Sequence, residues 1–327
     1  MAKRYSKITG WGKYAPPKVL TNADLEKIVD TSDEWIVSRT GIRERHIVSP
    51  GETNSTISVG ASRQALEVAG LMPKDIDLII VATSSPDRIQ PATATRVQYQ
   101  IGAENAFAFD INSVCSGSTY GIALADSLIK SGHCDNVLFI ASEVYSKILN
   151  KKDFSTFPYF GDGAGAILFQ AENSRRGVLH SCLRTDGSQC DTICIPGGGT
   201  MIPFEKMKTP NLAYFKMNGK AVFQFAVAKG TEVVLQLVEK AGVKLEEIKC
   251  FVCHQANINI IHAIAEKIKV SVDRFFVNLF RYGNTASTSV PIALDEAITR
   301  EFIVEGDLVV TAAFGGGLSW GANLIRV

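Results

Sequence analysis

Two stretches 172 residues apart carry one pattern. KDIDLIIVATSS (74–85) and EEIKCFVCHQAN (246–257) each run from a charged lead-in through an apolar stretch to small and polar residues. Two further blocks repeat in the same order. GIALADSLI (121–129) matches PIALDEAIT (291–299) at an offset of 170. DNVLFIAS (135–142) matches GDLVVTAA (306–313) at an offset of 171, or 172 if Asp135 is set on Asp307. A chain of 327 residues is long for one hydrophobic core and suits two fused halves. The repeat therefore predicts a duplicated unit, with halves over residues 1–170 and 171–327.

The apolar runs at 77–85, 136–142, 250–255 and 307–315 alternate with helical stretches at 56–70, 118–131, 220–241, 257–268 and 290–302. Continuous apolar strands between helices imply sheets buried on both faces, hence an α/β fold. The 34 basic residues nearly balance 33 acidic ones, for a net charge of +1. That leaves no polyanion footprint, and nucleic acid is not expected as a partner. The basic start MAKRYSKITGWG lacks an apolar segment behind it, so no secretory signal is expected. No run of about 18 apolar residues predicts a membrane-spanning helix. Seven cysteines without a leader read as reduced thiols in a cytoplasmic protein.

Cys250, Cys253 and His254 spell C-x-x-C-H, the spacing of a covalently attached c-type haem. By the repeat, however, the two cysteines fall where Leu78 and Val81 sit, inside a buried strand. There a cysteine is usually a small hydrophobe, and His254 stands at the strand's C-terminal end, where α/β sheets place functional loops. In FAFDINSVCSGSTYGIALADSLIKSG (107–132), Cys115 stands at a strand–turn–helix corner among small residues. A helix N-terminus there would lower its pKa and favour thiolate. NLFRYGNTASTSVPIALDEAI (278–298) has the same form, with Asn284 at the turn, aligned with Val114 by the offset of 170. Cys115, His254 and Asn284 thus all occupy strand-end turns, and a cleft shared by the halves would bring them together.

FGGGLSWGA (314–322) leaves backbone N–H groups uncovered, as an oxyanion hole requires. GDGAGA (161–166) departs from G-x-G-x-x-G and reads as a tight turn into a strand, not a dinucleotide site. His46, His133, His180 and His262 have no partners at meaningful spacing. His180, Cys182, Cys190 and Cys194 match no zinc spacing, so no metal is expected.

With these residues in place, the chain resembles the β-ketoacyl-acyl-carrier-protein synthase III family of the thiolase-like superfamily. The resemblance covers essentially the whole chain, through TSDEWIVSRTGIRERHI (31–47), GDGAGA, HQAN (254–257), GNTASTSVPIALDEA (283–297) and FGGGLSWGANLIRV (314–327). It implies a thiolase-like fold of two duplicated βαβαβαββ halves in five αβαβα layers. It implies a homodimeric acyltransferase that joins an acyl-CoA primer to malonyl-acyl carrier protein or malonyl-CoA by decarboxylative Claisen condensation, initiating fatty-acid synthesis. Cys115 resembles the acylated nucleophile, His254 and Asn284 its partners, and the N–H groups of Cys115 and Gly316 the oxyanion hole. Thr31, Trp35, Arg39, Gly219, Asn257 and Phe314 resemble substrate or CoA contacts. Gln255, Ala256, Asn257, Ile258 and Asn259 resemble a carrier-protein docking segment. The implied reaction needs no cofactor beyond the CoA thioester as substrate.

Three positions depart from the family pattern. Phe154 stands where the family often has Arg and cannot pair with phosphate. Asn259 stands where an Arg is frequent, and Gln90 replaces an apolar or aromatic residue in SPDRIQPATA (85–94), a loop that in the family crosses to the partner subunit. These point to a second expectation, a related acyltransferase or condensing enzyme of a specialised pathway with a non-acetyl substrate.

Overall fold

The computed structural model describes residues 4–327. β1 (Tyr5–Tyr14), β2 (Leu78–Ala82), β3 (Phe107–Ile111), β4 (Asn136–Glu143) and β5 (Gly163–Glu172) form a first sheet in the order β3-β2-β4-β5-β1. β6 (Gly177–Thr185), β7 (Cys250–Cys253), β8 (Leu308–Gly315) and β9 (Ser319–Arg326) form a second in the order β7-β8-β9-β6. Beyond β7 a parallel bridge from Phe251 to Phe275 occupies the place that β3 holds in the first sheet. β2 runs parallel to β4, and β7 parallel to β8. β5 and β9 run antiparallel to both of their neighbours. The two sheets therefore share one strand order and one set of directions.

Burial alternates along the central strands. Leu78, Ile80 and Ala82 enter one core and Ile79 and Val81 another. In β7, Cys250 and Val252 join the first of these cores, while Phe251 and Cys253 face a third. Strands buried on both faces need helices on both sides. Beside the frame lies α1 (Asp33–Thr40); α2 (Asn54–Ala69) and α3 (Thr93–Ile101) cover the outside of the first sheet. Between the sheets lie α4 (Gly117–Lys130) and α7 (Ser289–Thr299), and α5 (Gly219–Ala241) and α6 (Ile258–Lys267) cover the outside of the second. The result is a five-layered αβαβα thiolase-like fold. Side chains set the helix limits. Thr53, Asn218 and Asn257 accept N–H groups at the starts of α2, α5 and α6, and Gly70 and Gly242 close α2 and α5 at a left-handed φ of 67°.

A single offset of 172 relates the halves. It links β2 to β7 (78, 250), α4 to α7 (117, 289) and β4 to β8 (136, 308). The offset of 170 expected for the helices is thereby corrected. Ile-Ala-Leu triplets recur in helices buried on most sides, so they do not fix register, whereas the turn geometry does. β5 runs on to Glu172, so the expected boundary at 170/171 falls inside that strand and the crossing occupies 173–176. A further correction concerns α5, which by length and composition could cross a membrane although no such segment was expected. In the fold its buried face, including Ala226, Gly230, Val233 and Leu237, packs on the second sheet.

Candidate active site

The chain leaves β3 at Ile111 and turns sharply. Val114 takes a φ of 45°, and its N–H donates to Asn112 Oδ1 at 3.2 Å. This places Cys115 in a single 3-10 turn ahead of α4, buried at 6% exposure. Burial, and then the charge of Glu143, push its thiol well above the usual range. The expectation of a resting thiolate is thus corrected. The thiol is buried and feels a nearby carboxylate, so burying a charge outweighs the help of a helix that begins two residues later.

His254 follows β7 and is 2% exposed. Its N–H donates to Ala312 O at 2.7 Å, its Nδ1 lies 2.7 Å from Ser289 Oγ, and its ring packs edge-on against Phe314. Ser289 Oγ also accepts the Gln255 N–H. If the hydroxyl donates its proton to Nδ1, every one of these groups is satisfied and Nε2 carries the hydrogen. Burial lowers the pKa of His254 to about 3, so the imidazole is neutral across the physiological range, and in that tautomer its Nε2–H is free to donate.

Asn284 sits in the matching turn of the second half. Its N–H donates to Tyr159 O at 2.8 Å and its carbonyl accepts from Gly161 N–H at 3.0 Å. Its Oδ1 accepts the Ala286 N–H at 2.9 Å, which commits the oxygen and leaves the amide nitrogen to donate. Ala286, at φ 49°, is the counterpart of Val114, so Asn284 corresponds to Asn112 and Ser287 to Cys115. The expected alignment of Asn284 with Val114 is corrected by two residues.

Shared neighbours link the turns that carry the three residues. β8 ends in Phe314, against His254, and Gly315, where an added Cβ would lie 2.7 Å from the Cys115 nitrogen. Gly316 follows, packed against Val114 and Ile193. The hydroxyl that holds His254 belongs to Ser289, five residues after Asn284. Gly117, two residues after Cys115, approaches Ser287.

A cavity of about 730 Å³ leads inward from the exposed Trp35 to Asn284, past Arg39, Phe154, Gly219, Asn257 and Asn259. At its mouth the rings of Trp35 and Phe154 meet with centroids 4.9 Å apart, and the Arg39 guanidinium lies 6.0 Å from the Trp35 ring. Thr31 and Phe314 are not among its walls. Thr31 Oγ1 is buried without a hydrogen-bond partner.

The expected docking segment is corrected at one position. Gln255 is 1% exposed. Its Nε2 donates to Cys253 O and Phe276 O, and its Oε1 accepts the Asn278 N–H. It is an internal bracket with no face for a partner. Asn257 and Asn259 both donate to Arg39 O, tying α6 to α1. Gln90 is exposed, in a loop anchored by Asp87 to Ser55 and by Asp110 to Thr93 and Ala94.

The C-x-x-C-H spacing resolves by geometry. Residues three apart in a strand point to opposite faces, and Cys250 and Cys253 are fully buried in different cores. One haem cannot reach both. Among the described residues no group of three or more His, Cys, Asp or Glu side chains is placed to hold a metal ion. Sequence reasoning missed Ser289 and Glu143. Ser289 stood within GNTASTSVP, but its bond to His254 spans 35 residues and carries no local signal.

The family model described as 3-oxoacyl-[acyl-carrier-protein (ACP)] synthase III matches residues 109–187, and its C-terminal counterpart matches residues 238–327. A β-ketoacyl-[acyl-carrier-protein] synthase III of Roseiflexus sp. (strain RS-1) is 46% identical, with 98% of each chain covered. The crystal structure of the 3-oxoacyl-[acyl-carrier-protein] synthase III of Aquifex aeolicus VF5 superposes with a TM-score of 0.92 at 44% identity, covering 98% of this chain and all of that one. The priming β-ketosynthase of the R1128 polyketide pathway gives a TM-score of 0.92 at 30% identity, covering 99% of this chain and 96% of that one. With the whole fold matched and relatives this similar over nearly their full length, the chain belongs to the β-ketoacyl-[acyl-carrier-protein] synthase III family.

Proposed function

We propose that this protein is a condensing acyltransferase that initiates fatty-acid synthesis by decarboxylative Claisen condensation. The observation that carries the reading is the commitment of His254 and Asn284. With the Ser289 hydroxyl donating to His254 Nδ1 and the Ala286 N–H to Asn284 Oδ1, each has its acceptor side occupied, and the imidazole Nε2–H and the Asn284 amide N–H groups are left to donate. The Cys115 sulfur attacks the carbonyl of an acyl-CoA, the tetrahedral oxyanion is held by the N–H groups of Cys115 and Gly316, and CoA leaves with the thiol proton. A malonyl thioester, on acyl carrier protein or CoA, then enters. Its carboxylate departs as carbon dioxide, and the resulting enolate oxygen is stabilised by His254 Nε2–H and the Asn284 amide. The enolate carbon attacks acyl-Cys115, forming the C–C bond and expelling the sulfur as a thiolate, which takes up a proton from solvent to restore the thiol. Both donors act on charge that grows in the transition state, where they accelerate the step. The steps call for no resident cofactor.

Trp35, Arg39, Gly219 and Asn257 line the cavity and would receive the CoA or pantetheine arm. Thr31 lies upstream of the helix that carries Trp35 and Arg39, and Phe314 packs against His254. Ala256, Asn257, Ile258 and Asn259 form the proposed docking edge for the carrier. We assign the halves their division at the 173–176 crossing, with the nucleophile in the first and the His–Asn pair in the second. The seven free thiols suit a cytoplasmic setting. The free edge of β3, with Phe107 exposed at its start, suits a homodimer.

Intact mass after incubation with a panel of acyl-CoAs tests the reading. Acetyl or another short acyl group is expected on Cys115 and none on Cys115→Ala; loading of the alanine variant, or no loading of the parent, would overturn it. The Trp35–Phe154 contact, at a position where the family often has Arg, favours a second reading, an acyltransferase or condensing enzyme of a specialised pathway with a non-acetyl substrate. Loading by long or aromatic groups alone would select it.

A further inference from the structure

The reaction as proposed leaves one buried ionisable group unused. Glu143, the last residue of β4, has no solvent exposure, yet six hydrogen bonds converge on it. The Ser84 N–H donates to both carboxylate oxygens at 3.1 Å, and Ser84 Oγ donates at 3.0 Å. Ser85 Oγ donates at 2.5 Å, Ser287 Oγ at 2.8 Å and Thr83 Oγ1 at 3.4 Å. A backbone N–H cannot reverse its direction, so the site is built for an acceptor on both oxygens. Burial raises its pKa to about 7 against the pull of these bonds. The ionisable groups that feel its charge are Cys115 and Tyr145, both pushed upward.

The internal repeat gives this arrangement a meaning. At the offset of 172, Cys115 corresponds to Ser287 and Glu143 to Gly315. Gly315 lies against the Cys115 turn with no side chain, leaving the thiol open to the pocket. In the other half Glu143 grips Ser287, the equivalent atom, and that hydroxyl lies in the turn whose first residue is Asn284. One turn presents a nucleophile; its twin is clamped and presents a hydrogen-bond donor.

We infer that Glu143 is a positioning residue for the condensing half of the reaction, its carboxylate holding through Ser287 the turn that aims Asn284. The inference rests on the condensation reading above. Two variants test it, Glu143→Gln and Ser287→Ala. Glutamine keeps the size but replaces an acceptor oxygen with a donor, and alanine removes the hydroxyl with its bond to Glu143 and a longer one to Ala82 O at 3.4 Å.

Both variants should load an acyl group onto Cys115 within about threefold of the parent rate, while malonyl decarboxylation falls roughly tenfold or more, because small misplacements of a reacting geometry are costly. The pH profile of Cys115 alkylation by iodoacetamide should move to lower pH in Glu143→Gln, where a nearby negative charge is gone, and stay in place in Ser287→Ala. Folded variants that decarboxylate at the parent rate, or lose both half-reactions equally, overturn the inference while the condensation reading stands. A parent that neither loads nor decarboxylates overturns both. If Glu143→Gln does not fold, the ratio of the two half-reactions in Ser287→Ala decides the matter.

Discussion

His254 is held neutral by burial, and linkage turns that into a dependence of stability on pH. Its folded pKa of about 3 lies below its unfolded value of 6.5. Above pH 6.5 neither state binds the proton. As pH falls from 6.5 toward 3, the unfolded chain protonates first and stability is lost. Between pH 7 and pH 5 the parent should lose about 2 kcal/mol more than His254→Gln in chemical denaturation, from the unfolded-state titration alone. Equal losses in the two proteins would show that the imidazole protonates in place. For Asn284 the informative change is Asn284→Asp, which keeps the acceptor for Ala286 but removes the donor. Malonyl decarboxylation should fall on the order of a hundredfold, with acyl loading within a few-fold, since one preorganised donor is worth about that much. Cys115, His254 and Asn284 were legible by residue type at strand-end turns. The state of the thiol was not, because it is set by burial and by the charge of Glu143, which is distant in sequence. Gln255 was misread for the same cause, as two of its side-chain partners, Phe276 and Asn278, lie in a distant segment.

At the level of elements, the approach of residues 159–161 to residues 282–284 positions the second turn. A Cβ on Gly161 would meet Tyr282 O at 2.3 Å, and one on Gly283, at φ 67°, would meet Tyr159 O at 2.9 Å. Gly161→Ala should therefore destabilise the fold by roughly 1–3 kcal/mol in denaturant titration and reduce decarboxylation more than acyl loading. An unchanged midpoint and rate would mean that the two segments separate freely. Strand and helix positions followed from apolar runs because burial on both faces leaves an uninterrupted signal. Register did not, since Ile-Ala-Leu fits either of two positions along α7. The positive φ values at Val114 and Ala286 settle it, and no local preference of valine or alanine announces them. The apolar length of α5 likewise escaped a search for unbroken runs, because charged residues interrupt it.

On the scale of the whole molecule, β3 leaves the first sheet with an open edge, and Ile89, Tyr99 and Phe107 are 77%, 84% and 52% exposed. An open edge with exposed apolar groups invites a second chain. Sedimentation at micromolar concentration should give a dimer, and Phe107→Glu should shift it toward monomer; a monomeric parent would refute the proposed pairing. The repeat made the two-half plan legible in sequence, whereas the free edge is set by which strand lies outermost, a matter of pairing between distant segments.

The four-residue crossing at 173–176 has a consequence for how the chain can be connected. Tyr5 pairs with Glu172 on one side of it, and Arg326 pairs with Gly177 on the other. The outer ends of β1 and β9 therefore flank the same join. A circular permutant opened at 174, with a short linker from Val327 to Met1, would present the second half first and keep every strand pairing described above. The order in which the halves leave the ribosome is thus separable from the site they build together.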